Sequence, residues 1–235
     1  MAYVPENTRE SFEKAWALGA DAVECDVHLS KDGEVVVIHD ATLERTTDGR
    51  GRVRDHAWVQ LRRLNAGRWF SERFAKERLW RLDDLARWAR AKKGRSGGAL
   101  QLIVEIKSSP DSPRRIPAAV VRILTAAKMT SRALVISFDP RAVRETKRLR
   151  PKLRTGLLFS KPLRGLEGRM TRLKADAVFP KHTLLTPSLL RHARRRGWFV
   201  GAWTVNDRRE MRRVKDLGVD AVASNFPDRL ARELK

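Results

Sequence analysis

Short β-type runs alternate with amphipathic helical runs along these 235 residues. Strands that alternate with helices pair in parallel, because each helix returns the chain to the end of the sheet at which the previous strand began. The predicted strands of this kind are 22–27, 102–106, 134–138, 156–159, 175–179, 199–204 and 220–223. The predicted helices between them are 112–127, 140–149, 166–174, 187–196 and 207–217. No linker interrupts the pattern, so we expect one α/β domain over residues 1–235.

A further predicted strand, 35–38, breaks the parallel pattern. It follows the first strand after the run 30–33 (Ser-Lys-Asp-Gly), which has the turn chemistry of a hairpin, so it should run antiparallel as an excursion. Seven parallel strands remain, whereas a TIM (β/α)8 barrel needs eight. The missing strand belongs at the N-terminus, since no strand precedes the helix predicted near Asn7. We therefore predict a TIM barrel that lacks its first strand.

Charge and composition narrow the class of protein. Hydrophobic residues make up 42% and charged residues 33%, a globular balance. No apolar run approaches the ~18 residues of a membrane-spanning helix, and the single cysteine fits a reducing, cytoplasmic location. The net charge of +22 favours anionic partners. Because the basic residues are spread along helical runs without a nucleic-acid-binding motif, a solvated surface is favoured over a nucleic-acid interface.

The first predicted strand carries acidic side chains on one face. Side chains alternate along a strand, so Glu24, Asp26 and His28 point to one side and the apolar residues between them point to the other. Helices cover the outer face of a parallel barrel, which directs the acidic face to the lumen or its mouth. Two carboxylates there need a cation, and their oxygen atoms suit Mg²⁺ or Ca²⁺. A solvated strand or salt bridges to the many arginines are the alternatives, and this strand alone does not decide between them and a metal site.

The strand 102–106 contributes a third carboxylate. Glu105 and Lys107 share a face at the C-terminal end of an otherwise apolar strand, where the active sites of barrels are built. The lysine either holds a phosphate oxygen or pairs with Glu105. Three carboxylates at strand ends favour a metal site made of Glu24, Asp26 and Glu105.

Other candidate residues lie at strand exits. His39 follows a predicted strand, a place suited to acid–base chemistry near neutral pH, although a lone histidine is more often structural. His182 follows another strand, where it can face the same mouth, and it too is more often structural when it stands alone. Trp203 and Phe138 also lie at strand ends, where they either line a substrate pocket or fill the top of the barrel.

Several short motifs, weak one by one, occur in a fixed order along nearly the whole chain. They are Pro5-Glu6-Asn7-Thr8, Gly19-Ala20-Asp21-Ala22-Val23-Glu24-Cys25-Asp26-Val27, Ser30-Lys31-Asp32-Gly33, Val37-Ile38-His39-Asp40, Thr42-Leu43-Glu44-Arg45-Thr46-Thr47, Val104-Glu105-Ile106-Lys107, Ser137-Phe138-Asp139, Trp203-Thr204-Val205-Asn206 and Gly218-Val219-Asp220-Ala221. With these motifs in this order, the chain resembles glycerophosphodiester phosphodiesterases.

The resemblance implies a TIM barrel of the phospholipase-C-like phosphodiesterase type, with a small insertion at about 40–79. It also implies Ca²⁺ or Mg²⁺ held by Glu24, Asp26 and Glu105. The implied reaction is metal-dependent hydrolysis of a small anionic phosphodiester, a glycerophosphodiester, to glycerol 3-phosphate and an alcohol.

The resemblance further implies roles for residues around the metal. His39 is expected to be one of two catalytic histidines that carry protons to and from the alcohols. Lys107 is expected to contact phosphate. Trp203, Phe138 and His182 are the remaining candidates for substrate contacts.

The sequence departs from the family at its N-terminus. Family members carry a His-Arg-Gly triplet on the first barrel strand, whereas only four residues precede Pro5 here. That triplet supplies the second catalytic histidine and an arginine that contacts phosphate. Since the strand count also falls short at this place, we expect that the sequence begins late. We also expect impaired activity, because losing one of an acid–base pair costs ~10²–10⁴-fold.

Two other functions stay open. A lysophospholipase D-like or sphingomyelinase D-like phosphodiesterase is one, because those barrels look alike at the metal motif. The other is a catalytically degenerate barrel that binds anionic ligands or nucleic acid. Such binding would depend steeply on salt concentration, and Glu105→Ala would leave it unchanged.

Overall fold

The computed structural model describes residues 2–107 and 114–234. The strands are β1 (Ala22–Leu29), β2 (Val35–Val37), β3 (Trp80–Arg81), β4 (Gln101–Ile106), β5 (Ala133–Ser137), β6 (Arg154–Phe159), β7 (Ala177–Pro180), β8 (Phe199–Ala202) and β9 (Ala221–Val222). The α-helices are α1 (Arg9–Ala17), α2 (Trp58–Leu61), α3 (Leu82–Arg90), α4 (Arg115–Ala126), α5 (Pro140–Leu149), α6 (Leu166–Leu173), α7 (Pro187–Arg195), α8 (Arg208–Leu217) and α9 (Pro227–Glu233). Each predicted strand and helix is present with bounds shifted by a few residues, although the predicted helix start at Ser112 lies outside the described residues.

The strands form one sheet in the order β3-β2-β1-β4-β5-β6-β7-β8-β9. From β1 through β4 to β9 each strand pairs in parallel with the next, which confirms the parallel pattern predicted from the sequence. The strand β2 pairs antiparallel with β1, with Val37 opposite Val27, and β3 extends this excursion. In the part of the chain that the structure describes, no strand precedes α1, and β9 lies at the end of the sheet. The described sheet therefore contains seven parallel strands.

Apolar side chains on the outer face of the sheet pack against the helices. On β1, Val23, Cys25 and Val27 are at most 3% exposed and share a core with Leu85 of α3 and Val120 of α4. A second core packs β6, β7 and β8 against α6, α7 and α8. Among the described helices, none is both long and apolar enough to cross a lipid bilayer. Because helices cover the outer face of β1, the alternate, acidic residues of that strand point to the interior.

A small separate cluster of side chains from β5, β6 and β7 fills the interior face of the sheet. Its largest member, Phe179, lies against Gly201 of β8, where an added Cβ atom would overlap the ring. A Cβ atom at Gly156 of β6 would also lie only 3.1 Å from the same ring. The absence of side chains at these two positions makes room for Phe179 in the barrel interior.

The chain between β2 and β3 packs around apolar residues of its own, together with Val36 of β2. Ile38, Leu43, Val53 and Leu61 are at most 1% exposed and belong to one cluster. We retain the division expected from the sequence, one domain with an insertion at about 40–79, as a proposal.

We expect Gly201→Ala to lower the free energy of unfolding by about 1–3 kcal/mol, because the added methyl group must displace the Phe179 ring in a packed interior. Urea unfolding followed by circular dichroism measures this change. The matched control is Gly168→Ala in α6, where a Cβ atom would lie 3.6 Å from the Arg172 guanidinium. In a helix this control should be neutral or stabilising by up to about 1 kcal/mol. Equal effects of the two substitutions would contradict the packing described.

Candidate active site

Three carboxylates converge on the interior face of two neighbouring strands. Glu24 and Asp26 lie on one face of β1, and Glu105 on β4 lies beside Asp26 in the parallel register. Each of the three offers an oxygen atom, and these atoms lie within 4.8 Å of one another. Within residues 2–107 and 114–234, this is the group of His, Cys, Asp and Glu side chains that could hold a metal ion. The structure thus brings together the three residues that the sequence nominated as metal ligands.

Lys107 extends from the end of β4 between two of these carboxylates. Its Nζ lies 2.9 Å from Asp26 Oδ1 and 2.6 Å from Glu105 Oε1. Burial disfavours the charged form of this lysine, but attraction to Asp26 and Glu105 outweighs burial and raises its pKa. The sequence left open whether Lys107 pairs with Glu105, and in the structure it pairs with both carboxylates.

One ammonium does not balance three carboxylates. Desolvation, followed by repulsion from Asp26 and Glu105, raises the pKa of Glu24 well above its ordinary value. Glu24 is nevertheless exposed to water, as expected for a group that is surrounded by protein but lines a hydrated lumen. Burial also raises the pKa of Glu105. A divalent cation would relieve this repulsion, and carboxylate oxygens are the donors that such ions prefer, so the residues present fit a metal ion.

Asn7 orients the central carboxylate of this cluster. Its Nδ2 donates to Asp26 Oδ2 at 2.9 Å, and its Oδ1 accepts from the Asp26 backbone N–H at 3.3 Å. Asn7 has a φ of 55°, in the left-handed region that asparagine tolerates better than most residues. Sequence reasoning missed this contact, although the Pro-Glu-Asn run that contains Asn7 was an available signal.

His39 follows β2 and lies next to the strand that carries the carboxylates. The Ile38 backbone N–H donates to Asp26 O at 3.0 Å, which fixes the position of the next residue. The His39 side chain is 50% exposed, and its Nδ1 lies 2.7 Å from Asp40 Oδ1. The Nε2 of His28 lies 3.1 Å from the His39 carbonyl oxygen, and burial lowers the pKa of His28. A neutral His28 that donates this hydrogen bond holds the exit of β2 in place.

The other predicted site residues form a second group at the ends of β5, β7 and β8. The rings of Phe138 and Trp203 meet edge to face with centroids 5.4 Å apart, and Trp203 Nε1 donates to Phe179 O at 2.7 Å. His182 is attached to the same group, because its backbone N–H donates to Trp203 O at 2.9 Å. Its Nδ1 lies 2.8 Å from Glu210 Oε2. Since the C-terminal ends of parallel strands meet at one mouth, both groups line the same end of the barrel.

A parallel barrel with an acidic cluster toward the C-terminal ends of its strands is the arrangement of a TIM-barrel enzyme, because the active sites of this fold lie at that end. The model of the glycerophosphoryl diester phosphodiesterase family matches residues 1–229. The chain belongs to this family, which confirms the resemblance, the TIM-barrel type of fold and the phosphodiesterase activity predicted from the sequence.

Individual relatives cover nearly the whole chain. The glycerophosphodiester phosphodiesterase of Caldanaerobacter subterraneus subsp. tengcongensis is 33% identical over 227 residues, which are 97% of this chain and 91% of that protein. The glycerophosphodiester phosphodiesterase of Bacillus subtilis (strain 168) is 30% identical over 96% of this chain and 80% of its own length. The structure of an Oleispira antarctica phosphodiesterase in complex with the product sn-glycerol-3-phosphate is similar with a TM-score of 0.90 and 27% identity, over 99% of this chain and 92% of that chain.

We expect Glu24→Gln to stabilise the metal-free protein at neutral pH, because it removes one of three repelling carboxylates. Folding raises the pKa of Glu24. Below the ordinary glutamate pKa of about 4.3, Glu24 is protonated in both the folded and the unfolded chain, and the full stability of the fold is present. That stability is lost as the pH rises through the raised pKa of Glu24 in the folded chain, because Glu24 then ionises beside the other carboxylates. The gain from the substitution should be larger at about pH 8 than at about pH 4.5. Urea unfolding in the presence of EDTA at both pH values measures this gain.

The matched control for this measurement is Glu72→Gln, whose side chain is 75% exposed in a surface ion pair. We expect this control to change stability little at either pH, because exposed ion pairs contribute little. A Glu24→Gln gain that is equal at the two pH values would show that repulsion within the cluster does not govern its stability.

Proposed function

We propose that this chain uses a divalent cation, Mg²⁺ or Ca²⁺, to hydrolyse glycerophosphodiesters to glycerol 3-phosphate and an alcohol. The observation that carries the proposal is the cluster of Glu24, Asp26 and Glu105, whose oxygen atoms lie within 4.8 Å of one another. The substrate class is supported by the names of the relatives and by the Oleispira antarctica phosphodiesterase, which binds the product sn-glycerol-3-phosphate.

Glu24, Asp26 and Glu105 would hold the cation, since hard cations of this kind take oxygen ligands. When bound, the cation supplies Lewis-acid polarisation of the phosphoryl oxygens and stabilises the charge of the transition state. Asn7 keeps the Asp26 carboxylate oriented by its hydrogen bond to Oδ2. Lys107 already lies against Asp26 and Glu105, so its ammonium is placed to bind a phosphate oxygen beside the cluster.

His39 is the proposed proton-transfer residue. Its side chain is 50% exposed, so substrate can reach it, and Asp40 at 2.7 Å binds its Nδ1. With a proton on Nδ1, the free lone pair on Nε2 can take a proton from an attacking hydroxyl group. The protonated imidazole can then return a proton to an alcohol oxygen as the P–O bond breaks.

The group of Phe138, Trp203 and His182 is the proposed contact surface for the rest of the substrate. Phe138 is 44% exposed beside Trp203, and these two rings offer an apolar wall at the mouth. Glu210 fixes the orientation of His182 through Nδ1.

A cytoplasmic location stays a prediction.

The exposed face of Phe138 also favours a second candidate, a lysophospholipase D-like activity, because an acyl chain would cover an apolar surface at the mouth. Both candidates share the carboxylate cluster, so only the choice of substrate separates them.

The test of the proposed function compares hydrolysis of glycerophosphocholine and lysophosphatidylcholine with Mg²⁺, with Ca²⁺ and with EDTA. We expect EDTA to abolish hydrolysis of glycerophosphocholine. We expect Asp26→Asn and Glu105→Gln each to lower kcat/KM at least about 100-fold, because the cation loses a ligand. The control Glu72→Gln should keep full activity. Hydrolysis that resists EDTA and both substitutions would overturn the metal site, and preference for lysophosphatidylcholine would select the second candidate.

We expect His39→Gln to lower kcat about 10²–10⁴-fold, since it removes a proton-transfer group. Affinity for the cation should stay close to that of the unsubstituted protein, because the three carboxylates are unchanged. Steady-state kinetics with saturating cation measure kcat, and calorimetric titration with the cation measures affinity. An unchanged kcat would exclude His39 from proton transfer.

A further inference from the structure

A continuous network of ion pairs, formed by His39, Asp40, Arg45 and Glu6, extends from the imidazole. Asp40 Oδ1 lies 2.7 Å from His39 Nδ1. Arg45 binds both oxygens of Asp40, with Nε 2.6 Å from Oδ2 and a terminal nitrogen 3.0 Å from Oδ1. The terminal nitrogens of the same guanidinium bind both oxygens of Glu6, at 2.5 and 3.1 Å. A planar guanidinium that is bound in this way fixes the direction of both carboxylates.

This network of ion pairs determines which imidazole nitrogen of His39 carries a proton. The hydrogen bonds from Arg45, together with that from His39, keep the pKa of Asp40 well below its usual range, so Asp40 is ionised. An ionised carboxylate can only accept hydrogen bonds. A neutral His39 must therefore donate its Nδ1–H to Asp40 and leave the lone pair on Nε2.

We propose that Arg45 and Glu6 are positioning residues, which act through Asp40 to hold His39 in the tautomer that carries its proton on Nδ1. This tautomer alone presents an acceptor at Nε2. The effect on catalysis rests on the proposed function, whereas the effect on the tautomer does not.

Glu6 also connects this network of ion pairs to the carboxylate cluster. The next residue, Asn7, donates to Asp26 Oδ2 at 2.9 Å. Two consecutive residues thus support the imidazole of His39 on one side and a candidate metal ligand on the other. Because Glu6 and Asn7 are adjacent in the chain, they hold His39 in a defined position relative to the carboxylate cluster.

The exposure of these residues favours a positioning role over a role in folding. The Arg45 side chain is 45% exposed, and those of Asp40 and Glu6 are each 28% exposed. Ion pairs at this degree of exposure contribute little to stability. We therefore expect substitutions of Arg45 to leave the fold intact while they release Asp40.

The experiment measures the His39 tautomer by long-range ¹H–¹⁵N correlation NMR at a pH where the imidazole is neutral, with His39→Gln to assign the signal. We expect the Nδ1–H form in the unsubstituted protein and a mixture of tautomers in Arg45→Met. Asp40→Asn is the positive control, because an amide can donate to Nδ1 and favours the Nε2–H form.

Kinetics on glycerophosphocholine give the second readout. We expect Arg45→Met to lower kcat about 10- to 100-fold with little change in KM, because a small misplacement of a catalytic group costs up to about 100-fold in rate. Arg45→Lys restores the charge without the planar fork and should recover part of kcat. Glu6→Gln should act in the same direction as Arg45→Met. If Arg45→Met does not fold, Arg45→Lys and Glu6→Gln carry the test. The matched control is Arg68→Met, an exposed arginine in a surface ion pair, which should change neither readout.

The two readouts separate failure of this proposal from failure of the proposed function. An unchanged His39 tautomer and kcat in Arg45→Met and Glu6→Gln overturn the positioning role, even if the protein hydrolyses glycerophosphodiesters. Loss of the Nδ1–H tautomer in both variants supports the positioning role, even if no glycerophosphodiester is hydrolysed.

Discussion

Repulsion between three carboxylates on two adjacent strands is the interaction on which the rest of the site depends. Parallel pairing sets Asp26 beside Glu105, and the alternation of side chains puts Glu24 on the same face of β1. A dry interior would not tolerate these charges. Here Lys107 lies between two of the carboxylates, and water reaches the third. Binding of a cation would relieve a repulsion that the folded chain already carries, which is why the cluster suits a metal ion.

Asp26 is the residue around which the site is assembled. Its carboxylate accepts from Lys107 and Asn7, its backbone N–H donates to Asn7, and its carbonyl oxygen accepts from Ile38. Through Ile38 the strand β1 fixes the exit of β2, and therefore the start of the His39 side chain. The rigid sheet thus positions groups from two loops, while helices on the outer face keep β1 in place.

Much of the fold could be predicted because its signals are local. Strand and helix periodicities gave the seven parallel strands, and the Asp-Gly turn gave the antiparallel β2. The helix α3 was missed although Asp83 and Asp84 in its first turn were a usable start signal. The strand β3 could not be found in this way, because two residues show no periodicity and it exists only through pairing with β2.

Which residue types share a face, and which strands run in parallel, can be predicted from the amino-acid sequence, because alternation of side chains and the strand–helix order are properties of neighbouring residues. The sequence therefore nominated Glu24, Asp26 and Glu105. The contacts that these groups make depend on the three-dimensional fold. The pairing of Lys107 with Asp26 follows from the register of β1 and β4. The contact between Arg45 and Glu6 joins residues 39 positions apart through the paths of two loops. Such distances depend on long-range packing, which leaves no local pattern in the sequence.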